Sequence, residues 1–161
     1  MKRIIYLAGG CFWGMEAYFK QLSGVITTEV GYANGNTTQP TYQEVCNNET
    51  GFVETLKLEY DDDFLTLKRI LAAFFKVVNP TQLNRQQADI GSQYRSGIYY
   101  IENSNIIIIN DYIRELQKSY SAKIVTEVLP IKNYFPAETY HQDYLSKNPS
   151  GYCHIDLTQK P

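Results

Sequence analysis

The sequence predicts an α+β fold, a single two-layer α/β sandwich in which helices cover a mixed sheet. Short runs rich in β-branched residues alternate with longer segments whose apolar residues recur at helical spacing. The 161 residues suit one domain and contain no linker or internal repeat. We therefore expect residues 1–161 to form one domain with long loops and an irregular C-terminal tail over about 149–161.

The first half of the chain alternates strand and helix. Strands are predicted over residues 4–8, 25–32 and 55–60, and a helix is predicted to start at about Phe12. Residues 33–52 are polar and rich in Gly, Asn and Thr, which is typical of a functional loop.

The second half predicts two longer helices. One has an apolar stripe from Leu67 to Val78 and follows three aspartates at 61–63 that would cap it, and the other starts near Asn103. A polar connection covers 79–95. Strands are predicted over 96–101 and 123–129, and a short helix over 137–147.

Composition narrows the classes of function. The formal net charge is −2, so no basic field favours nucleic acid or an anionic membrane, and no segment is long enough to span a bilayer. The three cysteines, Cys11, Cys46 and Cys153, are widely spaced and match neither a secreted disulfide framework nor a zinc site. We expect no metal and a reducing compartment, the cytoplasm.

Cys11 is the first candidate functional residue. It lies in the segment Gly9-Gly10-Cys11-Phe12-Trp13-Gly14, between a buried strand and an amphipathic helix. A helix N-terminus favours a thiolate, and the glycines allow close approach of another molecule, which indicates a nucleophile. The alternative is a buried structural cysteine in a turn, which is the more common role of a cysteine.

Glu54 is the second candidate, because strand alternation places it on the face that carries Leu56 and Leu58. Against an apolar surface the pKa of a carboxyl rises, and a protonated carboxyl can act as a general acid. The alternative places Glu54 in water at a frayed strand end.

Other candidates lie in loops and in the tail. Tyr42, Asp89 and Tyr94 occupy polar connections, where a solvated turn is the simpler interpretation. Cys153 is either an unpaired surface thiol or a mobile thiol that resolves an oxidised partner. His141 or His154 would be the base partner of Cys11 in a hydrolase, which is the rival class of enzyme.

These motifs together resemble the peptide methionine sulfoxide reductase type A family. The match runs from Gly9 almost to the end of the chain, and only the stretch from 103 to 129 adds little. Its anchors are Gly10-Cys11-Phe12-Trp13-Gly14, Gly31-Tyr32, Pro40-Thr41-Tyr42, Val45-Cys46, Thr50-Gly51, Glu54, Asn84-Arg85-Gln86, Asp89, Gly91, Gln93-Tyr94-Arg95-Ser96, His141-Gln142, Lys147-Asn148-Pro149 and Gly151-Tyr152-Cys153.

The resemblance implies a role for each matched position on the sulfoxide. Cys11 would attack the sulfoxide sulfur, and Glu54 would protonate the oxygen. Tyr42 and Tyr94 would donate hydrogen bonds to that oxygen, with Asp89 as a supporting polar residue. Transfer of the oxygen would leave Cys11 as a sulfenic acid.

The resemblance also implies a substrate wall, a resolving thiol and a reductant. Phe12 and Trp13 would receive the sulfur-bound methyl group, and Cys153 would form a disulfide with Cys11. The family reduces the S epimer, free or peptide-bound, uses thioredoxin and carries no bound cofactor; dithiothreitol would replace thioredoxin in vitro. We expect a monomer that repairs oxidised proteins.

Some positions depart from the family pattern. Phe52-Val53 precede Glu54 where members commonly carry His-Ala, which would make the surroundings of the acid drier. Val78-Asn79 and Gln87-Ala88 replace His-Asp and Gly-Asn. The alternatives to a reductase are the Cys–His hydrolase, a module that binds oxidised methionine without turnover, and a redox sensor that uses a Cys11–Cys153 switch.

Overall fold

The computed structural model describes residues 1–161 and is organised around a six-stranded sheet. The strands are β1 (Lys2–Ala8), β2 (Val25–Ala33), β3 (Val53–Asp61), β4 (Arg85–Gln86), β5 (Asp89–Ile90), β6 (Gly97–Tyr100), β7 (Glu127–Pro130) and β8 (Tyr134–Pro136). The helices are α1 (Phe12–Phe19), α2 (Tyr42–Cys46), α3 (Leu67–Val77), α4 (Asn105–Gln117) and α5 (Tyr144–Lys147). Two 3₁₀ turns cover Ser92–Tyr94 and Thr139–His141.

The sheet is mixed, as predicted. Its strand order is β7-β6-β1-β3-β2-β8, while β4 and β5 pair only with each other. All neighbours in the large sheet run antiparallel except β6 and β7, which are parallel. The central strand β3 pairs with β1 on one side and with β2 on the other, so both of its edges are hydrogen-bonded.

Alternation along β3 separates the two faces of the sheet. Leu56 and Leu58 point into the main core, where both are fully buried among apolar side chains of α1 and α3. Val53 belongs to a smaller cluster on the opposite face, with Tyr6 and Tyr99. The two-layer α+β arrangement predicted from the sequence is therefore confirmed.

The helix predicted to follow the 61–63 aspartates is capped differently from the expectation. Asp61 is the last residue of β3, and α3 begins only after Thr66. The Thr66 hydroxyl accepts a hydrogen bond from the backbone N–H of Arg69, which is the usual N-cap interaction. The aspartates bond the ammonium group of Met1 instead.

Several short elements lie outside the predicted strands and helices. Helix α2 occupies part of the 33–52 connection, where Thr41 and Glu44 form a reciprocal capping box. Strand β8 adds an edge to the sheet beside β2 through pairs such as Tyr32 with Phe135.

The C-terminal tail has no regular structure but is packed against the domain. Ile155 is only 6% exposed and belongs to the main core. The guanidinium of Arg69 donates a hydrogen bond to the Pro161 carbonyl oxygen at 2.8 Å. No helix has both the length and the apolar character that crossing a membrane requires.

We expect Leu58→Ala to lower the free energy of unfolding by about 2–5 kcal/mol, because it opens a cavity in the core. Glu59→Ala is the matched control, since the next residue points to the other face of the same strand. Urea denaturation of the reduced proteins measures both changes. Equal stability of the two variants would contradict the assigned faces of β3.

Candidate active site

Cys11 is the residue that caps the N-terminus of α1, as the sequence predicted. Its side chain is mostly buried, and the cysteine is free. Burial raises the pKa of the Cys11 thiol well above its ordinary value, and the negative charge that Glu54 carries once it ionises adds to this effect. The backbone N–H groups of Trp13 and Gly14 act in the opposite direction, but more weakly. This direction opposes the thiolate that a helix start favours, and the Cys11 thiol keeps its proton at neutral pH without substrate.

Glu54 lies on the buried face of β3, as strand alternation predicted. Its side chain is 1% exposed, and its Oε1 atom accepts a hydrogen bond from the Phe12 N–H at 3.2 Å. Burial raises the pKa of Glu54 to about 8, although the Phe12 N–H pulls it down. The carboxyl is therefore mostly protonated at neutral pH, and the buried Oε2 atom has no hydrogen-bond partner.

Apolar side chains occupy the two positions before Glu54. Phe52 is 1% exposed, and its ring packs edge-on against Phe135 with 5.8 Å between ring centroids. Val53 is fully buried on the opposite face. The departure from the His-Ala pattern thus replaces a titratable imidazole with a buried phenyl ring two residues before the acid.

Tyr42 and Tyr94 bring two hydroxyl groups toward Glu54. Burial raises the pKa of each tyrosine, and the charge of Glu54 is the second cause in both cases. Tyr42 is the first residue of α2, and its backbone N–H donates to Glu138 Oε2 at 3.0 Å. The Tyr32 hydroxyl donates to the other oxygen of Glu138 at 2.8 Å. Because their pKa values are raised, Tyr42 and Tyr94 both remain protonated hydrogen-bond donors.

An aromatic cluster lies beside the start of α1. The Trp13 ring stacks on Tyr144 with 3.7 Å between centroids, and its Nε1–H donates to His141 Nδ1 at 3.0 Å. His141 also packs against Phe12 and Tyr42. Because the Nδ1 lone pair accepts the indole hydrogen, His141 acts as a support for Trp13, and this geometry does not favour the Cys–His hydrolase.

Cys153 lies close to the first turn of α1. A β-carbon added at Gly14 would lie 2.9 Å from Cys153 Sγ, so the absence of a side chain there makes room for this sulfur. The Cys153 thiol donates to the Ile155 carbonyl oxygen at 3.2 Å. The tail thus places the Cys153 thiol beside the first turn of α1. The backbone N–H groups of Trp13 and Gly14 in this turn face Cys11.

Asp89 connects the 79–95 segment to the tail. Its Oδ1 atom accepts a hydrogen bond from the Tyr152 hydroxyl at 2.7 Å, and its Oδ2 atom lies 3.6 Å from His154 Nδ1. The charge of Asp89 also raises the pKa of Cys11. The family resemblance placed Asp89 in the site, but no sequence pattern indicated these two partners, or the roles of Tyr144 and Glu138.

One group of side chains is close enough together to hold a metal ion, the aspartates at 61–63. They belong to the turn after β3 and bind the N-terminal ammonium group, so they are not part of the Cys11 site. The Cys11 site itself combines a thiol, a protonated carboxyl, two phenol hydroxyls and a second thiol. These groups define the class as a cysteine-based redox enzyme.

Comparison with known proteins identifies the family. The family model described as "Peptide methionine sulfoxide reductase" matches residues 3–161. The chain is 55% identical to the peptide methionine sulfoxide reductase MsrA of Clostridium perfringens (strain 13 / Type A), over 98% of this chain and 99% of that protein. The chain therefore belongs to the peptide methionine sulfoxide reductase type A family, and it is an oxidoreductase that acts on methionine sulfoxide.

Solved structures agree with this assignment. The crystal structure of Mxr1 from Saccharomyces cerevisiae in reduced form superposes with a TM-score of 0.92 at 37% identity, covering 97% of this chain and 92% of that chain. The structure of Mxr1 in complex with Trx2 gives a TM-score of 0.64 at 26% identity, covering 89% of this chain and 84% of that chain.

We expect turnover to decline as the pH rises through about 8, where Glu54 loses its proton. The sign follows from the protonated carboxyl being the active form of a general acid. Glu54→Gln should lower the rate by about 10²–10⁴-fold and should lack this alkaline limb. A pH–rate profile of both proteins measures the effect. A wild-type rate that stays constant well above pH 8 would contradict the role of Glu54 as an acid.

Proposed function

We propose that Cys11 reduces the S epimer of methionine sulfoxide while Glu54 supplies the acid. The observation that carries the proposal is the buried Glu54 carboxyl, bonded to the Phe12 N–H one residue after Cys11 and protonated at neutral pH. A sulfoxide oxygen leaves sulfur only after protonation, so an acid beside the nucleophile is the required arrangement. Hydroxyl donors from Tyr42 and Tyr94 support the same oxygen.

The first step transfers one oxygen atom. Glu54 protonates the sulfoxide oxygen while the Cys11 sulfur forms a bond to the sulfoxide sulfur and passes its thiol proton to the Glu54 carboxylate. The substrate S–O bond and the new S–S bond then break as the OH group moves to the Cys11 sulfur, which leaves Cys11 as a sulfenic acid and releases methionine. The Cys11 thiol is thereby oxidised by two electrons and the sulfoxide is reduced by two. Phe12 and Trp13 form the apolar wall for the methyl group on the substrate sulfur, and Asp89 supports the polar side of the site.

The second step regenerates the site through Cys153. Its thiol condenses with the sulfenic acid to give a Cys11–Cys153 disulfide and water. Thioredoxin then reduces this disulfide by thiol exchange, a proposal supported by the Mxr1–Trx2 complex of the yeast relative. Electrons thus arrive through thiols, without a bound cofactor, and dithiothreitol serves in vitro.

The substrate is methionine sulfoxide in oxidised proteins or as the free amino acid. We place the enzyme in the cytoplasm as a monomer, with residues 1–161 acting as one catalytic domain. The reducing cytoplasm fits a mechanism in which the cysteines must return to free thiols after each turnover.

The decisive experiment uses a peptide that contains pure methionine S-sulfoxide, with dithiothreitol as reductant. Wild type should turn over, whereas Cys11→Ser should form no methionine because it lacks the nucleophilic thiol. The R-epimer peptide is the matched substrate control and should not react. Chromatography of the methionine peptide measures all three reactions.

Cysteine variants separate the proposed roles. Without any reductant, Cys153→Ser and wild type should each form one methionine per enzyme. Cys11 should then remain a sulfenic acid in the variant and become a disulfide in wild type, since only the second step needs the Cys153 thiol. Cys46→Ser should behave as wild type, because Cys46 has no assigned role. Reduction by well-folded Cys11→Ser would contradict the assignment of the nucleophile.

A further inference from the structure

The two residues that flank Cys153 are both held by hydrogen bonds to the site. The Tyr152 hydroxyl donates to Asp89 Oδ1 at 2.7 Å. The His154 ring Nε2 lies 2.9 Å from the carbonyl oxygen of Gly9. The resolving cysteine is thus fixed between two anchors, and one of them joins its neighbour to a residue two positions before Cys11.

The geometry defines the tautomer of His154. A carbonyl oxygen only accepts hydrogen bonds, so the His154 proton is on Nε2. Burial lowers the pKa of this ring, which is therefore neutral at neutral pH. Its Nδ1 atom and Asp89 Oδ2, 3.6 Å away, are both buried without a hydrogen-bond partner. The bond to Gly9 is therefore the hydrogen bond that fixes the ring.

Two glycines leave space for the His154 ring. A β-carbon at Gly10, whose φ is +87°, would lie 2.7 Å from His154 Nε2. A β-carbon at Gly14 would lie 2.9 Å from Cys153 Sγ and 3.2 Å from His154 Nδ1. The ring and the Cys153 sulfur therefore fill the space left by the glycines on either side of Cys11.

We propose that His154 is a positioning residue for disulfide formation: its hydrogen bond to Gly9 holds the Cys153 thiol against the start of α1, beside Cys11. This inference rests on the proposed resolving role of Cys153. His154 does not act on the transferred oxygen atom and affects the reaction only through the placement of its neighbour Cys153.

The step that depends on this placement is balanced without another reactant. The Cys153 sulfur bonds to the sulfur of the Cys11 sulfenic acid, and the S–O bond breaks. The hydroxyl leaves as water with the proton of the Cys153 thiol. Holding two reacting groups in place accelerates their reaction, whereas a free tail would have to search for the geometry. His154 should therefore affect the second step and not the first.

A single-turnover experiment without reductant tests the proposal. Reduced enzyme is mixed with an equal amount of S-sulfoxide peptide, and methionine formation and thiol loss are followed over time. For His154→Ala we expect a methionine burst at the wild-type rate and disulfide formation slowed by about 10-fold or more. The sulfenic acid should accumulate and be trapped by dimedone.

A conservative variant and a tail control make the test specific. His154→Gln should recover most of the disulfide rate, because its side-chain N–H can reach the Gly9 carbonyl as Nε2–H does. Thr158→Ala changes an exposed residue of the same tail that bonds only Asp156, so both rates should stay at wild-type values.

A disulfide rate in His154→Ala equal to wild type would overturn the proposal. So would equally slow disulfide formation in the Ala and Gln variants, or loss of the methionine burst in His154→Ala. Cys153→Ser in the same assay tests the proposed function separately. If Cys153→Ser still forms a disulfide at Cys11, and dimedone prevents it by trapping the sulfenic acid, another thiol resolves the sulfenic acid. The proposed role of Cys153 then fails independently of the role of His154.

Gly14→Ala probes the same placement from the helix side. Alanine suits a helix interior better than glycine by about 1 kcal/mol, so the variant should fold. Its β-carbon would occupy the space of the Cys153 sulfur, and we expect slower disulfide formation with the methionine burst retained. Disulfide formation at the wild-type rate would show that Cys153 does not react from this position.

Discussion

The hydrogen bond from the Phe12 N–H to Glu54 is the contact on which the rest of the site depends. It joins the central strand of the sheet to the first turn of α1, which carries Cys11. Removing a charged carboxylate from water costs several kcal/mol, so a carboxyl at this depth takes up a proton instead. One position on β3 thereby fixes both the location of the acid and its protonation state.

The same burial imposes a constraint on the nucleophile. The apolar surroundings that keep Glu54 protonated also raise the pKa of Cys11, so the resting site holds two protonated groups. A reaction that protonates the sulfoxide oxygen suits this state, because the proton that Glu54 donates is already present when the sulfoxide enters. The tyrosine hydroxyls then stabilise charge at the same atom. Sulfur attack and proton delivery therefore both depend on the burial of the Cys11 and Glu54 side chains.

Local patterns predicted the parts of the site that depend on a single element. The strand–turn–helix signal placed Cys11 at a helix start, and alternation along β3 placed Glu54 on the core face. Neither strand alternation nor the position of a helix start shows how deeply Cys11 is buried. The raised pKa of the Cys11 thiol was therefore not predicted. Strand β8 was not predicted because it has only three residues. Helix α2 was not predicted either, although its capping box is visible in the sequence. The contact of Asp89 with Tyr152 spans 63 residues and has no local signal.

The protonation state of Glu54 tests the central claim most directly. Infrared difference spectra of wild type against Glu54→Gln at neutral pH report the carbonyl stretch of a protonated carboxyl. The account predicts that this band is present in wild type and disappears as the pH rises through about 8. A spectrum that contains only carboxylate bands at neutral pH would contradict it, because Glu54 could not then deliver a proton to the sulfoxide.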